Sequence, residues 1–440
     1  MKHLRLPVLV LVAVLGLAPA RAQEPPPPAL TAELADYAAL RATKLSGEFA
    51  TVSNVVLKRD AATFTLRSGE LHFFTAVAGR VTGAVFVGDG ELTMEPPLDC
   101  EKSAIAIFTR EPRIAERFDE LVLRFSDETW AEVKESGATF GTGGANAARA
   151  AKLLEENTKL LRDKLRQNYA LRTFVDVYSK ERERHGYFTA FVKGARFNKL
   201  IFWMDPRGIP LVAPEQVALI SYGDADGGIW TAFPMTGGAT NTGTYDIRQH
   251  EITATIDGTR MTCTDTITLR ATREGIRVLP FDLFPTLRVA KVTDASGATL
   301  PFVQQAKDED AELAVVMPAP VAVDADTVLK VEYAGDQAIA DSGGGNFILH
   351  PGARANWYPS NASTAFGDRA KFRVAFRIPK KLLIVGTGSL AEPETTEGDQ
   401  IVSKWTSGDL ELAVTGFNIG RFKKKELKDA ESGYQIEFYA

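Results

Sequence analysis

Cysteine and histidine are scarce in this chain, with two and five copies among 440 residues. Two cysteines exclude a disulfide-dense scaffold and any structural zinc site built on four thiolates. An excess of one charge is also lacking. Lys and Arg number 51 against 56 Asp and Glu, for a formal net charge of −5, so nothing electrostatic favours nucleic acid. Past the amino terminus, no apolar run is long enough to cross a bilayer as a helix. A Gly-x-Ser-x-Gly elbow is missing, which removes support for that class of serine hydrolase. What remains is ordinary globular composition, 45% hydrophobic and 24% charged. The 36 glycines and 22 prolines suit a turn-rich, largely β protein of about two or three domains.

The amino terminus carries an address. Lys2, His3 and Arg5 precede the apolar run from Leu6 to Ala18, and Ala20-Arg21-Ala22 supplies small residues at a cleavage point. This pattern predicts a signal peptide over residues 1–22 and an exported protein, periplasmic or extracellular. An uncleaved anchor needs about 20 apolar residues, more than this run provides. No cysteine sits at the cleavage point, which argues against a lipoprotein. Cleavage removes Lys2, Arg5 and Arg21, so the net charge moves from −5 to −8. In an oxidising compartment Cys100 and Cys263 could pair. Two separate buried thiols are the favoured expectation, because the two cysteines lie 163 positions apart and a bridge needs Cα atoms within about 7 Å.

Residues 23–30, with Pro25 to Pro28, read as a stiff polyproline linker. Residues 31–234 are expected to form an α+β domain. A short helix from Thr31 to Ala42 leads into period-two runs through Val55, Leu57, Phe64, Leu66, Leu71, Phe73, Val85, Val87 and Leu92. Breaks at Arg59-Asp60, Ser68-Gly69, Gly79 and Gly88-Asp89-Gly90 predict an antiparallel meander that ends at Pro96-Pro97. Ala145 to about Lys180 reads as one long helix, with Leu153, Leu154, Leu160, Leu161 and Leu165 on its apolar stripe and Glu155 and Lys159 as an i,i+4 pair. That stripe predicts packing on the sheet of the same chain. Strands resume at Tyr187 to Val192 and Lys199 to Met204. Gly223 to Gly228 is a turn, and Pro234 to Gly243 reads as a domain boundary.

Residues 245–422 are expected to form a β-sandwich. Ile252 to Ile256 and Met261 to Leu269 flank Asp257-Gly258, a hairpin signal. Further strands are predicted over 287–292, 313–317, 327–333, 372–378, 400–405 and 411–417. Trp405 alternates inward with Ile401 and Ser403, which places it in the sandwich core rather than on an exposed ligand platform. Tyr434 to Ala440 alternates like a strand, and residues 423–440 read as the start of a further segment. The fold class is thus β-rich α+β, with a meander and a long helix followed by a sandwich.

Candidate chemical motifs are incomplete. His250-Glu251 opens like His-Glu-x-x-His, in which a helix brings two imidazoles onto one zinc. Position 254 is Ala254, and the segment alternates like a strand. Gly141-Thr-Gly143-Gly144-Ala-Asn146 precedes the long helix, as phosphate loops do. It lacks both the sixth glycine of a dinucleotide loop and the Lys-Ser/Thr of a P-loop, so a helix-entry linker is expected. Asp224 to Gly228 has Met235 where a calcium loop needs glutamate. Asp308 to Asp310 reads as a charged hairpin tip, and Lys423 to Lys425 is too short for a nucleic-acid patch. No catalytic, metal or cofactor-binding residue is assigned.

One set of residues has a familiar order. Asn356-Trp357-Tyr358-Pro359 is followed by the 372–378 strand and Pro379. Gly386-Thr-Gly388-Ser-Leu390, Trp405 and Phe417-Asn-Ile-Gly420-Arg-Phe422 come next. This order resembles the amino-terminal β domain of the aminopeptidase N family of zinc metallopeptidases, over about Tyr245 to Phe422. Trp357, Pro359, Gly388, Trp405 and Gly420 are the pattern residues, with packing rather than chemical roles, and Gly386 and Gly388 are expected to allow tight backbone bends. The family's His-Glu-x-x-His, distant glutamate ligand and Gly-x-Met-Glu-Asn segment are not among these 440 residues. The resemblance implies the non-catalytic front part of an exported metallopeptidase-like hydrolase. Its parent protein would use zinc in a following catalytic domain to remove amino-terminal residues from peptide substrates. The alternative expectation is a non-catalytic periplasmic binding or assembly module. Neither involves nucleic acid or, after signal cleavage, a transmembrane segment.

Overall fold

The computed structural model describes residues 31–160, 169–179, 186–212, 214–225, 227–238, 243–307, 312–361 and 368–440. The expected signal peptide and polyproline linker lie outside these residues. So do Leu161 and Leu165 of the helical stripe, Asp226 of the acidic turn, and the Asp308–Asp310 tip.

A nine-stranded antiparallel sheet organises the first half. Its strands are β1 (Leu45–Arg59), β2 (Ala62–Phe74), β3 (Gly83–Met94), β4 (Ile114–Phe125), β5 (Thr139–Thr142), β6 (Phe188–Gly194), β7 (Leu200–Met204), β8 (Val217–Ser221) and β9 (Gly228–Phe233), in the order β5-β1-β2-β3-β4-β6-β7-β8-β9. The meander expected from the sequence is present, but two of its breaks are not turns. Gly69 lies within β2 opposite Gly88 within β3, and the ladder slips beside each of them. These are β-bulges. A Cβ on Gly88 would stand 2.1 Å from the Ser68 carbonyl oxygen, and one on Gly69 would stand 2.4 Å from that of Val87. The glycines therefore permit backbone contact inside a continuous ladder.

Helices cover both faces of this sheet. α1 (Ala32–Ala42) starts at Thr31, whose hydroxyl accepts the Leu34 N–H as an N-cap. α2 (Asp99–Thr109) and α3 (Thr129–Glu135) place Ile105 and Val133 on the face carrying Phe64, Phe86, Phe188 and Phe202. The sequence reading missed both helices, which are short and lie between strands. On the opposite face, α4 (Ala147–Leu160) packs Leu153 and Leu154 against Val85, Val87 and Val122. α5 (Tyr169–Tyr178) adds Tyr169 to the same cluster. The single long helix expected from Ala145 to Lys180 is thus described as two helices, with 161–168 outside the described residues. The expected Glu155–Lys159 pair is made, at 2.7 Å. Burial on both faces explains why β6 to β8 read as continuous apolar runs rather than alternating ones.

The second half is built on an eight-stranded sheet. β10 (Tyr245–Asp257) and β11 (Arg260–Ala271) form the expected hairpin, with Gly258 at φ +61. The remaining strands are β12 (Val278–Asp282), β13 (Leu287–Asp294), β14 (Phe302–Gln304), β15 (Glu312–Val316), β16 (Thr327–Gly335), β17 (Ile339–Gly343), β18 (Asn346–Leu349), β19 (Lys371–Pro379), β20 (Leu383–Gly386), β21 (Ser389–Leu390), β22 (Thr395–Glu397), β23 (Gln400–Thr406) and β24 (Phe417–Gly420). The large sheet runs β13-β16-β11-β10-β19-β23-β21, with β22 also on β23. The pair β10–β19 is parallel. Opposite it stand a three-stranded sheet, β12-β15-β14, and a four-stranded one, β17-β18-β24-β20. Their inner faces share one apolar core, so the arrangement is sandwich-like. A separate hairpin, β25 (Lys424–Lys428) and β26 (Gln435–Tyr439), follows.

The strand expected over 411–417 is not formed. Leu412 makes only a bridge to Ala370, and regular pairing begins at Phe417. Backbone groups of this segment are committed elsewhere: the Thr415 carbonyl accepts the Trp357 indole and the Gly416 carbonyl accepts the Thr387 amide. The cysteines are both free, and Cys100 is exposed on α2 rather than buried. Cys263 is buried on β11. The two halves meet where α1 and α5 pack Tyr37, Leu40 and Phe174 against Val278, Ala314 and Val316 of β12 and β15. Arg277 joins them, donating to Glu33 at 2.8 Å and to the Met317 carbonyl.

Candidate functional site

The five pattern residues pack; none is poised for chemistry. Trp357 follows a short helical turn, Pro351–Ala353, and is fully buried. Its Nε1 donates to the Thr415 carbonyl at 2.9 Å, and its ring meets that of Phe417 edge-on at 5.2 Å. Pro359 is buried beside it. Trp405 lies on β23, 6% exposed, with Nε1 donating to Ser403 Oγ at 2.9 Å. It belongs to the sandwich core, as the alternation predicts. Gly386 was expected to bend the chain, but its role is different: it ends β20, and a Cβ there would stand 2.8 Å from the Trp405 ring. Gly388 does turn the backbone, at φ +96, with a Cβ position 2.2 Å from the Thr406 carbonyl oxygen. A Cβ on Gly420 would meet Asn346 Oδ1 at 2.4 Å and the Phe422 ring at 2.7 Å.

The half-motif at His250 is a core pair. His250 sits on β10, where residues 250, 252, 254 and 256 all face inward. Its Nδ1 lies 2.7 Å from Asp265 Oδ2, and both side chains are buried. Phe372 stacks on the imidazole at 5.1 Å, and Tyr358 meets it edge-on at 4.9 Å. His72 pairs with Glu70, and His350 Nδ1 accepts the Gly352 amide. Among the described residues no group of three or more His, Cys, Asp or Glu comes together to hold a metal. The described side chains do not fit a zinc site.

The glycine-rich loop before α4 is occupied by the chain itself. Glu70 of β2 receives the amides of Ala145 and Asn146 at 3.0 and 2.8 Å, supplying the negative charge that a helix N-terminus favours. Burial raises the Glu70 carboxyl pKa, but these two amides and His72 outweigh it and hold the group below the usual carboxylate range. Gly144, at φ +81, lets the loop approach: a Cβ would stand 2.8 Å from His72 and 2.9 Å from Glu70.

Sequence reasoning missed a buried ionic cluster beneath α5. Arg172 grips Asp205 with Nε and NH2 at 2.8 and 2.9 Å. It also pairs with Asp176 one turn along the helix, and Arg207 reaches the same carboxylate at 3.0 Å. Burial opposes the Arg172 charge, but Asp176 and Asp205 outweigh it and raise the pKa. The i,i+4 spacing of Arg172 and Asp176 was the only local signal. The cluster is mutually compensated, so it locks α5 to the sheet and leaves no free acid or base.

The chain is similar in structure to solved M1 zinc metallopeptidases, the aminopeptidase N family. One, from Deinococcus radiodurans, is 16% identical with a TM-score of 0.38, and the likeness covers 44% of this chain and 46% of that one. A mutant of the enzyme from the same organism, bound to a Tyr-Ser-Ala substrate, gives 16% identity and 0.37 over the same shares. Another mutant structure gives 17% and 0.36 over 47% of this chain and 48% of that one. The matched region therefore spans about half the length of those peptidases. No protein-family model matches the sequence. No curated protein matches it.

Proposed function

We propose that these 440 residues are the non-catalytic front part of an exported, zinc-dependent aminopeptidase-like protein. The observation that carries this reading is the interlocking of the pattern residues. Trp357 bonds to Thr415 and packs on Phe417, Gly386 accommodates Trp405, and Gly420 accommodates Phe422. Residues dispersed over more than sixty positions thus serve one packed end of the sandwich, which accounts physically for their order. In this reading the sandwich is a rigid support, and peptide hydrolysis belongs to a following domain that holds the zinc. The apolar face of the β25–β26 hairpin, with Leu427, Ile436 and Phe438 each more than half exposed, packs against that domain. Two strands alone are marginally stable in water, so such a cover would also stabilise the hairpin.

The test is to extend the chain. The coding sequence beyond codon 440 is expected to encode His-Glu-x-x-His. The longer product should release amino acids from an aminoacyl reporter in a chelator-sensitive way, while residues 23–440 alone do not. A stop codon directly after Ala440, together with a stable soluble product, would instead favour a free-standing binding or assembly module.

A further inference from the structure

One buried cation has no counter-charge among the described residues. Arg124, near the end of β4, is 8% exposed and points to the α4–α5 side of the sheet. Among the described residues its one hydrogen bond is a long contact, 3.4 Å, from NH2 to the Thr43 hydroxyl, and its Nε has no partner. Phe74 and Tyr169 rings lie 5.9 and 5.8 Å from the guanidinium. Arginine is rarely buried without a carboxylate, and an arginine remains charged, so such a site strongly favours an anion. The contrast with Arg172, gripped by two aspartates on the same helix layer, is direct.

Arg124 lines a cavity of about 160 Å3 between the end of α1, α5 and the sheet. Thr43, Thr75, Thr82, Thr173 and Tyr187 are among its polar lining residues, and exposed Lys44 adds a second positive charge. Among the described residues no carboxylate lines it. Leu40, Phe74, Val77 and Ala170 make the rest of the wall apolar.

We propose that this cavity binds a short-chain monocarboxylate, with its carboxylate on Arg124 and its alkyl group against Leu40, Phe74 and Val77. The volume decides the size. At about 30 Å3 per water-sized group, 160 Å3 holds roughly five or six non-hydrogen atoms, the size of propionate or butyrate. An amino acid is disfavoured because none of the described lining residues is a carboxylate that would pair with its ammonium group. This site lies in the first sheet and stands independently of the peptidase reading.

Titration calorimetry on the intact chain tests it, with sodium propionate as ligand and propionamide as its neutral isostere. Propionate is expected to bind saturably at about millimolar concentration, as its few atoms allow. Propionamide is expected to bind at least about tenfold more weakly, the loss typical of a charge-assisted hydrogen bond. Arg124→Met should remove propionate binding. Ala42→Phe, which keeps Arg124 and places a ring at an exposed position of the wall, should remove it too, so a folding defect in one variant leaves the other decisive. Equal binding of acid and amide, undiminished binding by either folded variant, no binding by the parent chain, or binding of inorganic phosphate in place of propionate would each overturn the proposal.

Discussion

The carboxylate of Glu70, on β2, receives the backbone amide of Asn146 at 2.8 Å and so closes the amino-terminal end of α4. A strand residue does the work of a helix cap from 76 positions away. Glu70→Ala should therefore loosen α4 from the sheet and cost about 1–2 kcal/mol, read as a lower urea midpoint. The pH dependence has a definite sign. The folded pKa lies below the ordinary value of 4.5, so this contribution is present above that value. It is lost as the pH falls through the lower, folded value. In Glu70→Gln, acid unfolding below pH 4.5 should become correspondingly less steep. An unchanged acid limb would show that the Glu70 charge contributes nothing.

Gly88→Ala tests the bulge between β2 and β3. Its Cβ would lie 2.1 Å from a backbone oxygen that belongs to the paired strand. Backbone cannot swing aside as a side chain can, so the expected cost is about 1–3 kcal/mol. Gly79→Ala is the control, because nothing lies within 4 Å of its Cβ position and only the φ of +76 opposes it.

Trp405→Ala should lower the denaturation midpoint of the sandwich sharply, by about 3–5 kcal/mol, because it empties a buried site. Gly386→Ala reaches the same place from the other side, by pressing a methyl group into the Trp405 ring. A Trp405→Ala protein that unfolds like its parent would place the indole at the surface.

His250→Ala leaves Asp265 buried without its imidazole, and one of its oxygens already has no partner among the described residues. Breaking such a buried pair costs about 3–5 kcal/mol if the pair is ionised, and less if it is neutral. Metal analysis separates this role from ligation: zinc content should be sub-stoichiometric in the parent chain and unchanged by the substitution. One tightly bound zinc per chain, lost with His250, would overturn the core assignment.

The two thiols should differ in reactivity. Cys100 is exposed and should react at once with an aromatic disulfide reagent. Cys263 is buried, and burial pushes its thiol pKa well up, so it should react only after unfolding. Two fast-reacting thiols in the folded protein would contradict the placement of Cys263 on β11.

Features that depend on neighbours in the chain were legible before folding was considered. The helix after the polyproline run, the Asp257-Gly258 hairpin, the inward phase of Trp405 and the replacement of a second histidine by Ala254 all follow from local spacing and backbone geometry. Tertiary structure decided what depends on distant partners. Gly69 and Gly88 read as turns until the ladder set them opposite each other, and Gly386 read as a bend until Trp405 filled the space beside it. The strand expected over 411–417 gave way because the Thr415 and Gly416 carbonyls bond to Trp357 and Thr387. Glu70 became a helix cap, and Arg124 became a buried cation beside a cavity, for the same reason. Hydrogen bonding and charge compensation act over a few ångströms of space, and only the folded chain brings residues many tens of positions apart within that distance.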